Sequence, residues 1–178
     1  MSRFGTFKWV LVKRFRLPED ISFDLGALLE PLAVAIHASR RAQVQKGCST
    51  LVLGAGTVGL LCAAVAKACG SDSVIIADIQ KDRLEFAVKN DFAHESFVVP
   101  QKRGVFTADK LEIAKELAAR FIKSDARKGG EVGEFDAVFE CTGAEACTQA
   151  AIYVSKYLRW QQCLTDIIRR LVREAKLS

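Results

Sequence analysis

The chain has 178 residues, half of them apolar, and a formal net charge of +5, so its length suits one domain with a sizeable core, with or without a small appendage. Its basic residues are dispersed and not interleaved with aromatic residues, which argues against a nucleic-acid surface. No apolar run approaches the roughly 20 residues that cross a bilayer, and no signal peptide is recognisable near the N-terminus.

The six cysteines and two histidines give no metal or redox motif. None of the cysteines forms a C-x-x-C pair, which excludes a zinc knuckle and a thioredoxin-type motif. Neither His37 nor His94 has a histidine or cysteine partner at ligand spacing. Together with the missing signal peptide, this pattern favours a reducing, cytoplasmic setting and no membrane partner.

The first predicted element after the basic and aromatic residues 1–16 is a helix. Either Ser22 or Asp24 is expected to cap its N-terminus, because both residue types accept hydrogen bonds from free backbone N–H groups. Pro31 lies inside the helical pattern and lacks the N–H group that a helix interior needs. The sequence therefore predicts a break or a restart near Glu30.

The most informative stretch is 50–78, which reads TLVLGAGTVGLLCAAVAKACGSDSVIIAD. An apolar strand leads into a G-x-G-x-x-G turn at Gly54, Gly56 and Gly59, and an apolar helix and a second strand follow. Asp78 closes the second strand about 20 residues after the turn, as a dinucleotide-binding βαβ unit requires.

Each residue of this pattern has its own physical reason. Gly54 permits the tight turn, Gly56 lets a pyrophosphate approach the backbone, and Gly59 allows the helix to pack closely on the sheet. The helix N-terminus directs its free N–H groups at the phosphates. Asp78 accepts hydrogen bonds from ribose hydroxyls and repels a 2′-phosphate, which predicts NAD(H) over NADP(H). The alternative is a glycine turn in an α/β domain that binds nothing.

Strands and helices continue to alternate after this unit. Helical periodicity covers 81–90, 108–123 and 145–154, and short strands are predicted at 96–99 and 135–139. Alternation of this kind predicts an α/β fold with a doubly wound parallel sheet, a Rossmann fold. Right-handed crossovers give its four strands the order 3-2-1-4.

Four segments in this order resemble the medium-chain dehydrogenase superfamily: LPEDISFDLGALLEPLAVAIHA, VLGAGTVGLL, VIIADIQKDRLEFA and FDAVFECTGAE. They are most similar to its zinc-dependent sorbitol, xylitol and L-arabinitol dehydrogenase branch, over about residues 17–155. The resemblance implies a partial NAD-binding Rossmann domain at 47–155, preceded at 17–46 by helices from the junction with a catalytic domain. Residues 1–16 and 156–178 diverge from the family.

The resemblance also implies a set of cofactor contacts for NAD. The family's pyrophosphate turn, ribose acid, adenine and adenosine neighbours and the loop beneath the cofactor correspond to Gly54, Gly56, Thr57, Val58, Gly59, Asp78, Ile79, Arg83, Cys141, Thr142 and Gly143. Glu30 matches an acid beside the family's catalytic zinc. An ordinary helix-face or capping acid is the alternative for Glu30.

The chain departs from the family's pattern on both sides of the matched region. The cysteine, histidine and glutamate ligands of the catalytic zinc have no counterparts, so Glu30 is expected to be vestigial and zinc is not expected to bind. Residues 156–178 replace two expected strands. Their apolar residues fit one helical face, which predicts either a helical tail that covers the sheet edge or a partner, or the product of an altered reading frame or retained intron.

The resemblance implies an NAD-dependent oxidoreductase that converts a polyol to a ketose by hydride transfer. Without zinc ligands and most of the nicotinamide pocket, this chain by itself is expected to bind NAD(H) but to be inactive. The alternative is a non-catalytic dinucleotide-binding or interaction module. The open sheet edge beside the fourth strand also predicts self-association.

Overall fold

Strands and helices alternate along the chain, which the computed structural model describes over residues 17–101, 107–124, 135–156 and 161–162. The helices are α1 Phe23–Arg41, α2 Thr57–Ala68, α3 Lys81–Lys89, α4 Thr107–Ser124 and α5 Glu145–Val154. The strands are β1 Ser49–Leu53, β2 Ser73–Asp78, β3 Glu95–Val98, β4 Ala137–Glu140 and β5 Gln161–Gln162. No helix within these ranges has both the length and the apolarity needed to cross a bilayer.

The five strands form one sheet in the order β3-β2-β1-β4-β5, and every pairing is parallel. Leu51 of β1, for example, lies opposite Ile75 of β2 on one side and Val138 of β4 on the other. The predicted order 3-2-1-4 is confirmed. The chain therefore winds outward from β1 in both directions, and a crevice opens beyond the carboxyl ends of β1 and β4.

Helices cover both faces of the sheet because successive residues of a buried strand point to opposite sides. Val52 of β1 belongs to the core beneath α1, α2 and α3, whereas its neighbours Leu51 and Leu53 belong to the core beneath α4 and α5. All three side chains are completely buried. This two-sided packing explains why residues 51–53 of β1 are an unbroken apolar run.

Helix α1 continues through Pro31, so the predicted break near Glu30 is wrong. The helix begins at the predicted cap Ser22, whose Oγ accepts a hydrogen bond from the Leu25 N–H group at 3.2 Å. Pro31 cannot donate to the carbonyl of Ala27, four residues earlier. Ala27 is exposed, so water can satisfy that carbonyl and the helix need not end.

The short strand β5 corrects two expectations for the C-terminal side. Gln161 and Gln162 pair with Phe139 and Glu140 of β4, so these two residues are not helical, and the β4 edge is not open at this point. Lys156, the first residue of the predicted tail, is described and is not helical, whereas 157–160 and 163–178, like residues 1–16, lie outside the described residues. Self-association through this edge stays a prediction.

Candidate functional site

A cleft of about 350 Å³ lies at the carboxyl ends of β1, β2 and β4. Its lining residues come from the end of β2, from the loops after β1, β2, β3 and β4, and from α3 and α5: Gly54, Gly56, Ala77, Asp78, Ile79, Gln80, Arg83, Val99, Cys141, Thr142, Ala144 and Cys147. Open α/β sheets bind ligands at this position, where the strand order reverses. The volume falls in the usual range for a small-molecule site.

The glycine turn between β1 and α2 shows three different geometries. Gly54 has a φ of +103°, which L side chains rarely adopt. A Cβ atom on Gly59 would lie 1.8 Å from the carbonyl oxygen of Gly54, so α2 packs against the turn too closely for any side chain. A Cβ atom on Gly56 would meet nothing within 4 Å. The turn and the close packing are thus built into the fold, and the space at Gly56 is open to a ligand.

The first turn of α2 adds backbone donors beside the cleft. Gly56 is the N-cap and provides no side-chain hydrogen bond, and the first N–H groups of a helix have no partner within it. Thr57, Val58 and Gly59 follow directly in this turn, although none of the three lines the cleft. Their N–H groups and the helix dipole favour an anion at this end of α2.

Asp78, at the end of β2, is fixed by the backbone around it. Its Oδ2 accepts a hydrogen bond from the Ala55 N–H group at 2.7 Å, and its Oδ1 accepts one from the Gln80 N–H group at 2.8 Å. The side chain is largely buried but still lines the cleft. Since each carboxylate oxygen has two lone pairs, both retain capacity for a ligand hydroxyl.

Two further residues of the cleft lie beside this acid. Ile79 follows Asp78 directly and is half exposed, and Arg83 lies on the first turn of α3. Both line the cleft together with Asp78. An exposed apolar side chain and a guanidinium group together offer surfaces for a flat heterocycle.

Glu140, at the end of β4, was not identified as a site residue from the sequence. Its side chain is fully buried, and its Oε1 accepts hydrogen bonds from the Thr142 N–H group at 2.7 Å, the Thr142 hydroxyl and the Gly143 N–H group at 2.9 Å. Cys141 and Thr142 line the cleft, but Gly143, with a φ of +68°, does not. The signal available in the sequence was a charged residue that ends the apolar run FDAVF.

Cys147 on α5 was not predicted as a site residue from the sequence either, and the same holds for three other lining residues, Gln80, Val99 and Ala144. Burial raises the pKa of the Cys147 thiol, a hydrogen bond with the Thr142 side chain opposes that shift, and the nearby carboxylates of Glu140 and Asp78 reinforce it. The thiol is therefore neutral near pH 7 and contributes a small, weakly polar surface to the cleft.

Glu30 lies apart from this cleft. It is exposed on α1 and is not one of the lining residues. Within the described ranges, no three histidine, cysteine, aspartate or glutamate residues come together in a way that could hold a metal ion. The described residues thus supply a cleft with hydrogen-bonding groups, but not a metal centre.

Comparisons with known proteins find relatives of this chain among D-xylulose reductases. No known family profile matches the chain. D-xylulose reductase from Saccharomyces cerevisiae is 36% identical over 142 residues, which are 80% of this chain and 36% of the relative. D-xylulose reductase A from Aspergillus oryzae is 40% identical over 140 residues, 79% of this chain and 35% of the relative. The chain spans about a third of the length of these curated relatives.

A solved dehydrogenase structure also has a similar fold over most of this chain. A Clostridium scindens protein assigned as a zinc-binding dehydrogenase superposes with a TM-score of 0.57 and 28% identity, over 79% of this chain and 34% of that protein. The relatives and this structure confirm the predicted resemblance and the doubly wound fold.

Proposed function

We propose, from this similarity to D-xylulose reductases and to a zinc-binding dehydrogenase, that residues 47–155 form the NAD(H)-binding domain of an oxidoreductase that interconverts a polyol and a ketose. The observation that carries the proposal is the carboxylate of Asp78, held by two backbone N–H groups at the cleft beside the open approach at Gly56. Bound NAD+ would accept the hydride at its nicotinamide ring.

Asp78 supports NAD(H) as the cofactor rather than NADP(H). Its fixed oxygens can accept hydrogen bonds from both hydroxyls of the adenosine ribose. A 2′-phosphate would bring its negative charge against a largely buried carboxylate, and like charges repel strongly where water is scarce. Arg83 offers a positive charge nearby, but it lies on α3 and is exposed, so we assign it to the adenosine rather than to a phosphate.

The remaining contacts follow the cleft from one end to the other. We assign the adenine to the half-exposed Ile79 and the pyrophosphate to Gly54, Gly56 and the first turn of α2. The loop after β4, which contains Cys141, Thr142 and Gly143, is assigned to the nicotinamide side. The helix N-terminus stabilises the two phosphate charges, because its first N–H groups have no partner within the helix.

Zinc does not fit the described residues. A catalytic zinc needs about three protein ligands and an open position, and the described ranges gather no such group. Glu30 therefore stays a vestigial metal acid in this proposal, and no metal step is assigned to this chain. We expect turnover of a polyol to require ligands other than the described residues.

A second candidate function is a dinucleotide-binding module without catalysis. The cleft favours it as much as the first, and the lack of a metal centre among the described residues is the observation in its favour. An activity assay distinguishes the two candidate functions, since only the oxidoreductase produces NADH. The assay contains NAD+, zinc and one of the polyols xylitol, sorbitol or L-arabinitol. The free thiols of Cys48, Cys69 and Cys147 support our further proposal of a reducing, cytoplasmic setting.

Calorimetric titration of the full chain with NADH and NADPH tests the cofactor assignment. We expect the wild-type chain to bind NADH more tightly than NADPH. The Asp78→Asn variant should bind NADH about tenfold more weakly than the wild type, because the NH2 group of the new amide must face one of the two backbone N–H donors. Asp72→Asn is the matched control: it makes the same charge change on an exposed residue before the opposite end of β2. Tighter NADPH binding, or no NADH binding at all, would contradict the proposal.

A further inference from the structure

We propose that Glu140 is a positioning residue for the dinucleotide, although it never touches the ligand. Its buried carboxylate would set the shape of residues 141–144, the loop that forms the cleft wall after β4. This inference rests on the proposed NAD(H) site and deepens it, since it assigns part of the affinity to a residue outside the cleft.

The hydrogen bonds of Glu140 gather three consecutive backbone groups of the loop around one carboxylate. The N–H groups of Thr142 and Gly143 donate to it directly. The N–H group of Ala144 donates to the Thr142 hydroxyl at 3.0 Å, and that hydroxyl donates its proton to Glu140. The whole turn before α5 is therefore organised by one side chain.

The loop in turn is braced against the glycine turn after β1. The Cys141 N–H group donates to the carbonyl of Leu53 at 2.8 Å. The methyl carbon of Thr142 lies 3.0 Å from the position that a Cβ atom on Gly54 would occupy. A displacement of the loop would consequently change the wall of the cleft that is assigned to the nicotinamide.

The burial of Glu140 argues for a role beyond general stability. Its side chain is completely buried and does not line the cleft. A buried carboxylate has a desolvation cost that an apolar residue in the core would avoid. Within the described residues, the hydrogen bonds of the Glu140 carboxylate run only to Thr142 and Gly143. What the charge provides is therefore the conformation of this loop.

The test compares Glu140→Gln and Glu140→Asp with the wild-type chain, by titration with NADH and with AMP. Glutamine has the same shape as the glutamate side chain but carries no charge. Aspartate keeps the charge, but its side chain is one methylene shorter, so the carboxylate lies farther from the loop. Because hydrogen bonds to a charged group are the stronger kind, we expect about tenfold weaker NADH binding in both. AMP reaches only the end near Asp78, so its affinity should change less than about twofold. Glu145→Gln, an exposed glutamate on the first turn of α5, serves as the control.

Each outcome decides one statement. Unchanged NADH affinity in both variants, or an equal loss for NADH and AMP, overturns the positioning role while the proposed cofactor site stands. A wild-type chain that binds neither compound overturns the cofactor site and the positioning role with it. If the Glu140 variants do not fold, Thr142→Val replaces them, since it removes the hydroxyl link at an exposed position. NADH binding should weaken in Thr142→Val and recover in Thr142→Ser, and equal binding in these two overturns the inference.

Discussion

Replacing Gly59 with alanine is expected to destabilise the fold even though alanine favours a helix. A Cβ atom at this position would lie 1.8 Å from the Gly54 carbonyl oxygen and 2.9 Å from its carbonyl carbon, whereas real Cβ contacts essentially never fall under 3.0 Å. Both atoms belong to the backbone and cannot rotate away. Helix α2 would have to move by about 1.2 Å relative to the glycine turn.

The cost follows from two opposing terms. Exchange of glycine for alanine gains about 1 kcal/mol of helix propensity, and overpacking costs about 1–3 kcal/mol or more. Because the clash involves backbone on both sides, we take the upper end and expect a net loss of about 2 kcal/mol. In a chain of this size that loss lowers the Tm by about 4–8 °C.

Gly56→Ala is the matched control for this prediction. Gly56 has an extended backbone conformation that any residue adopts, and a Cβ atom there would meet nothing within 4 Å. Its Tm should stay within about 2 °C of the wild type, while the added methyl group occupies the proposed pyrophosphate approach and weakens NADH binding. Thermal unfolding followed by circular dichroism measures both variants. A wild-type Tm for Gly59→Ala, or an equal loss for Gly56→Ala, would refute the reasoning.

Three further predictions concern an ion pair and the cysteines. A hydrogen bond from Lys67, and then its charge, lowers the pKa of the exposed Asp91. The resulting stabilisation is complete above the unfolded pKa and is lost as the pH falls through the lower folded pKa. The Tm difference between the wild type and Lys67→Met should therefore narrow as the pH falls below the ordinary range of a carboxyl group, and a constant difference would contradict this. Since burial raises the pKa of Cys147, a maleimide should label it more slowly than the exposed Cys69 at neutral pH. NADH should protect Cys141 and Cys147 in peptide mass mapping, and protection of Cys69 instead would argue against the cleft as its site.

The fold was predictable where local sequence and tertiary packing demand the same structure. Strands β1 and β2 contain the continuous apolar runs 51–53 and 74–77. The buried centre of a parallel sheet requires such runs. Pro31 shows the limit of such reasoning. The helix continues because Ala35 and Ala38 are buried in the core beneath α1 while Ala27 is exposed, and neither fact is visible from the local sequence.

The candidate site was predictable to the extent that its residues follow one another along the chain. Asp78 was identified because its distance from the glycine turn is fixed by one βαβ unit. Val99 and Cys147 reach the same cleft from the end of β3 and from α5, so only the strand order brings them together. Glu140 belongs to a recognisable segment, but its burial and its three donors depend on how the following turn folds.

Asp78 and Glu140 show how burial can give the same functional group two different tasks. Both end strands adjacent to β1, and both accept backbone hydrogen bonds from a loop at the cleft. Asp78 accepts two such bonds and lines the cleft, so lone pairs remain for a ligand. Glu140 has no exposed surface, and its acceptors are used by the loop.

This difference predicts that variants of the two residues change the affinities for AMP and NADH in different ways. Asp78→Asn should weaken AMP and NADH together, because both compounds carry the adenosine ribose. Glu140→Gln should weaken NADH alone, since the loop that it holds lies at the other end of the cleft. The ratio of the two affinities, measured in both variants and in the double variant, separates direct contact from positioning. If the ratio is the same in the two single variants, the division of tasks between these carboxylates is wrong.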